Sequence, residues 1–150
     1  MGLFFEDFKE GDVFKTKSRT VTETDIVMFS GLSGDYNALH TNEEFAKNTE
    51  HGTRIAHGML VLSIATGLMY PLGITDETAI GFLGINEFKF LRSVKAGNTI
   101  RVEVKISEKR ESKSRKDAGI IIREISILNQ KDEIVQRGMF ALLVNKKIIS

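Results

Sequence analysis

Apolar and polar positions along the chain change their spacing as the sequence proceeds. Between Val13 and Val21 they alternate, which predicts one strand. The stretch "TETD", Thr22 to Asp25, then offers a capping box, with Thr22 as N-cap and Asp25 reaching back, and predicts a short helix to Phe29 that Gly31 and Gly34 end. A second such signal, "TNEE", predicts another short helix from near Thr41 to about Lys47. After a polar loop, "HGMLVLSIATGLMY" runs for a dozen residues without a charge, which predicts a helix buried on every side. From Thr78 onward the period becomes two. Four segments, "TAIGFLGINEFKFL", "NTIRVEVKISEKR", "GIIIREISILNQ" and "EIVQRGMFALLV", are set apart by "KAGN", a charged hairpin tip and "KDE", and predict four long strands.

Five strands, counting the first, make an antiparallel sheet that must cover one face. The Met59 to Tyr70 segment is the only element apolar enough to lie across it. The expected fold is therefore α+β, a sheet wrapped around one buried helix, in a single domain spanning 1–150. A chain of 150 residues with 41% hydrophobic content suffices for one such core. The 21 basic and 20 acidic residues nearly cancel, so no overall field favours nucleic acid or an anionic membrane. The absence of cysteine excludes disulfides, thiolate metal sites and cysteine nucleophiles. The opening "MGLFFEDFKEGD" is acidic where a signal peptide is basic, and Met59 to Tyr70 is shorter than the ~20 residues a membrane span needs. A cytoplasmic location is expected.

Candidate chemistry concentrates in "SGDYNALH", Ser33 to His40, where Asp35 and His40 share a glycine- and asparagine-rich turn. All three histidines, His40, His51 and His57, fall within 18 positions of sequence. Adding water across an α,β-unsaturated thioester needs a base, an acid and a donor for the enolate-like oxygen. A carboxylate and an imidazole suit the first two. The start of the apolar helix suits the third, because its first amides lack intrahelical partners and the dipole is positive there. Each residue also has a plainer role: Asp35 and Asn37 can bond backbone amides of the turn, and Gly58 can serve a close helix contact. Thr66 can bond its own helix, and His57 reads as a structural loop residue. A metal site from His40, His51 and His57 lacks any compact ligand spacing, so no metal is expected. The basic run "SEKRESKSRK", Ser107 to Lys116, is interrupted by glutamates and reads as a solvated hairpin tip.

The combination of "FSGLSGDYNALH", "RIAHGML" and a buried helix resembles the MaoC-like dehydratase family, the (R)-specific enoyl-CoA hydratases with a hot-dog fold. The likeness in element order covers nearly the whole chain. It implies catalytic roles for Asp35 and His40, an oxyanion-stabilising amide at Gly58, and a hydroxyl on the helix, Thr66, that orients the aspartate. It implies a cofactor-free lyase that interconverts trans-2-enoyl and (R)-3-hydroxyacyl thioesters of coenzyme A or acyl carrier protein. A homodimer with sheets joined edge to edge is also implied, with the acyl tail beside the helix near Leu60, Ile64 and Leu68. Three positions depart from the family pattern: Ala38 and Arg54 stand where relatives have proline, and Asn42 where they often have aspartate. The first two are expected to leave the site loops less constrained. A hot-dog thioesterase and a non-catalytic acyl-CoA-binding or partner subunit are the alternatives. The first of these commonly carries a carboxylate on the central helix, and Met59 to Tyr70 has none.

Overall fold

The computed structural model describes residues 1–148. The last two positions of the expected domain, 149 and 150, lie outside the described residues. The strands are β1 (Val13–Lys15), β2 (Arg19–Thr20), β3 (Ala79–Phe90), β4 (Thr99–Glu111), β5 (Ala118–Leu128) and β6 (Ile134–Asn145). They form one antiparallel sheet in the order β1-β4-β5-β6-β3, with β2 also paired to β4. The helices are α1 (Glu23–Ser33), α2 (Ala38–Thr41), α3 (Glu43–Ala46) and α4 (Gly58–Met69).

The four long strands form where the period of two predicts them, and the sheet curves around α4 as expected. Leu60, Val61, Ile64 and Ala65 of the helix share one core with Val102, Val104, Ile125, Ile127 and Phe140 of the sheet. Beyond the end of α4 the same sheet face is covered instead by Phe5 and Phe8, which pack on Ile106, Ile121 and Leu142.

Five expectations need correction. Val13 to Val21 is not one strand, because Lys15 faces Glu103 while Arg19 faces Ile100, so the segment holds one residue more than its partner and bulges between β1 and β2. The capping box at Thr22 and Asp25 forms, but α1 runs past Phe29 and Gly31 to Ser33. It ends only at Gly34, whose left-handed φ of 75° turns the chain away. The second helix forms as α3, but its cap is Asn42, which accepts from the Phe45 amide, and not Thr41, which ends the separate single turn α2 before it. Finally, α4 is not buried all round: Met59, Ser63, Thr66, Gly67 and Tyr70 form a solvent-facing stripe at helical spacing. The basic hairpin is also only partly solvated, because Lys109 donates to the Phe5 and Phe8 carbonyls and ties down the N-terminal segment.

Candidate active site

Gly34 delivers the chain into the turn that holds Asp35. The Asp35 carboxylate accepts from the Asn37 amide at 3.2 Å through one oxygen. Asn37 caps α2 by accepting from the Leu39 amide at 2.9 Å, which is the turn-forming role anticipated for it. That cap sets His40 in the last turn of α2, facing the loop before α4. There Nδ1 of His40 lies 2.7 Å from the Ile55 carbonyl. A carbonyl only accepts, so Nδ1 carries the proton and Nε2 is left with its lone pair free.

His57 belongs to this arrangement, which its reading as a loop residue missed. It is 3% exposed, and its ring stacks on that of His40 with centroids 3.9 Å apart. Its Nε2 lies 3.1 Å from the Asp35 carbonyl and 3.2 Å from the Ser30 hydroxyl, so it ties the Asp35 turn to α1 and to the start of α4. The only hint in the sequence is its place immediately before Gly58. Asp35, His40 and His57 each present one ligand-type atom, all within 4.8 Å of one another. Their residue types suit a metal. Nδ1 of His40 and Nε2 of His57, however, are already engaged by the carbonyls of Ile55 and Asp35, and one Asp35 carboxylate oxygen by the Asn37 amide. His51 lies apart from the group, beside Glu50, with its carbonyl taking the Lys95 ammonium.

Gly58 opens α4, and His57 supplies no side-chain cap, so the first amides of the helix stay available. A side chain at position 58 would meet the Phe90 ring at 2.6 Å. The glycine is therefore required by close packing as well as by its place at the helix start. Gln136 on β6 donates to the Gly58 carbonyl at 2.9 Å and fixes this end of the helix on the sheet.

Thr66 is not brought to Asp35 within this chain. It stands eight residues beyond Gly58, about 12 Å along the axis, and donates to the Ser63 carbonyl. Leu60, Ile64 and Leu68 do line a cavity of about 630 Å³, shared with Met28, Phe29 and Leu32 of α1. The expected looseness at Arg54 is offset by charge. Its guanidinium bridges Glu43 of α3 and Glu23 of α1, and the Thr53 hydroxyl and Arg54 together hold the Glu43 carboxyl below its usual range.

The chain is similar to known proteins in sequence and in fold. The MaoC like domain family matches residues 7–125. The chain belongs to the MaoC-like family. It is 37% identical over 105 residues to an (R)-specific enoyl-CoA hydratase of Rhodospirillum rubrum, a match covering 69% of each chain. It is 36% identical over 106 residues to the MaoC protein of Klebsiella aerogenes, covering 71% of this chain but 31% of that longer one. Among solved structures, this MaoC-like chain superposes on a monoamine oxidase regulatory protein from Archaeoglobus fulgius with a TM-score of 0.92 and 36% identity, over 98% of this chain and 97% of that one. The MaoC-like dehydratase of Rhodospirillum rubrum gives 0.86 and 30%, over 99% and 100%. A double hotdog protein of Mycobacterium tuberculosis, 17% identical, shares the fold with a TM-score of 0.84 over 97% of this chain and 45% of that one.

Proposed function

We propose that the protein hydrates trans-2-enoyl thioesters to (R)-3-hydroxyacyl thioesters, and catalyses the reverse dehydration, with Asp35 and His40 acting on one water. The observation that carries this reading is the His40 ring, held at Nδ1 by the Ile55 carbonyl, with its ligand-type nitrogen and the Asp35 carboxylate within 4.8 Å of each other. An interval of up to 4.8 Å between such groups accommodates one water at about 2.8 Å from each. His40 Nε2 takes a proton as the water oxygen bonds the β-carbon, and the imidazolium returns one to the α-carbon on the same face. The Asp35 carboxylate accepts the second hydrogen of the water and orients its lone pair. Charge that develops on the thioester oxygen meets the free amide of Gly58 at the positive end of α4, where one such donor is typically worth about 3 to 4 kcal/mol. A relative named (R)-specific enoyl-CoA hydratase and another named 3-hydroxybutyryl-CoA dehydratase support the direction of the reading.

The test is kinetic. Asp35→Asn and His40→Ala are expected to lower kcat for crotonyl-CoA hydration by about 10² to 10⁴ while leaving the thermal melting curve cooperative. A folded His40→Ala protein with near-normal turnover would remove His40 from the mechanism. Thiol release in place of hydration would assign a thioesterase.

A further inference from the structure

A second cavity, of about 290 Å³, lies at the C-terminal end of α4, and its walls are mostly apolar: Met69, Phe82, Phe140 and Leu142. One cation breaks that surface. Arg123 sits on β5 in the inward row between Ile121 and Ile125 and is 8% exposed. Its Nε is buried with no hydrogen-bond partner among the described residues, and no aspartate or glutamate lines the cavity. Burial alone draws its pKa down to about 10, still far above neutrality, so the guanidinium stays charged. A buried charge of this kind destabilises a fold unless something pairs with it. The fork of a guanidinium fits a carboxylate in bidentate fashion, and Thr75 stands in the same wall with a hydroxyl that can donate as well.

A row of packed aromatic rings runs between the cavity and the start of α4. Phe90 packs on Gly58, Phe88 lies 5.2 Å from Phe90 and 6.1 Å from Phe140, and Phe140 lies 5.3 Å from Phe82 in the cavity wall. Thr66 marks the cavity about 12 Å along the helix from Gly58, so Arg123 addresses the far end of a bound acyl group and not its thioester. We propose that this cavity binds a carboxylate at the distal end of the acyl chain, with Arg123 as its partner, so that the preferred substrates are enoyl thioesters of dicarboxylic acids. The apolar walls suit a hydrocarbon chain ending in one small anion better than a hydrated phosphate. The inference rests on the thioester reading given above, to which it adds the substrate class.

The test compares trans-2-decenedioyl-CoA and trans-2-dodecenedioyl-CoA, long enough to span that distance, with their methyl-ended counterparts, using wild type, Arg123→Met and Arg123→Lys. The wild type is expected to favour a carboxylate-ended substrate by about ten- to hundredfold in kcat/KM, Arg123→Lys to keep part of that preference, and Arg123→Met to reverse it. Hydration of methyl-ended substrates with no preference for the carboxylate would overturn the inference while leaving the hydratase reading in place. A preference undiminished in a folded Arg123→Met protein would overturn it equally. If Arg123→Met does not fold, the wild type and Arg123→Lys decide. Should no enoyl-CoA be hydrated, the hydratase reading falls, and calorimetric titration with decanedioyl-CoA and decanoyl-CoA decides the cavity. Arg123-dependent tighter binding of decanedioyl-CoA sustains the inference, and equal binding defeats it.

Discussion

His40 performs its proposed task because two contacts constrain it. The Ile55 carbonyl fixes the tautomer, and the His57 ring fixes the plane. His57→Ala is expected to lower kcat more than it raises KM, since it removes the stack and the tie to Asp35 while the substrate contacts remain. An unchanged kcat would show the stack to be incidental. Gly58→Ala should destabilise by about 1 to 3 kcal/mol by driving a methyl group into Phe90, and adding Phe90→Ala should recover most of that loss in thermal melts. Arg123→Met should raise stability at neutral pH by about 1 to 4 kcal/mol, because it removes a buried unpaired charge and conserves volume. The native pKa of Arg123 lies well below the ordinary arginine range. Its cost is therefore fully present below pH 10 and fades as the pH rises through that value toward the ordinary arginine range. The stability gap between variant and wild type should narrow in that window. Arg123 was legible in the sequence only as a break in an inward row of isoleucines, and the period of two gives its direction but not the lack of a partner.

At the scale of elements, the site depends on short helices that could not hold themselves without help. Ala38 is the first residue of α2, behind Asn37 in an extended conformation at ψ 135°, a geometry that accepts proline. Ala38→Pro is expected to stabilise the protein by about 0.4 to 1 kcal/mol without loss of activity; a lowered melting temperature would refute the fit. Arg54 joins α1 to α3 through Glu23 and Glu43. The native Glu43 carboxyl sits below its ordinary 4.5, so the link contributes at and above that pH and weakens as the pH falls through the lowered native value. The capping boxes made the starts of α1 and α3 readable to within a residue. The ends were less so, because Gly31 tolerates a helix and only Gly34 needs a left-handed φ.

Over the whole molecule, the alternation of four strands and the uncharged run of α4 carried the fold, since both reflect burial in one core. What the alternation left out is the face that this core does not cover. Met59 on α4, Tyr70 just past its end, and Phe82, Leu83 and Ile85 on the edge strand β3 remain exposed, as do Met28 and Leu32 on α1. A solvent-facing stripe on an apolar helix beside an open sheet edge supports the homodimer proposed from the family likeness. Leu83→Lys with Ile85→Lys should halve the mass measured by light scattering, and a wild type already monomeric would rule the dimer out. The same exposed stripe carries Thr66, so its expected bond to Asp35 has no basis within one chain. Among the described residues no helix is long and apolar enough to cross a membrane.

The measurement that bears most directly on the central claim is the incubation of purified wild-type protein with crotonyl-CoA, following loss of the enoyl-thioester absorbance and resolving the product on a chiral column. The arrangement of Asp35, His40 and Gly58 predicts loss of absorbance without thiol release and a product that is almost wholly (R)-3-hydroxybutyryl-CoA. Accumulation of the (S) product, or of free coenzyme A, would contradict it.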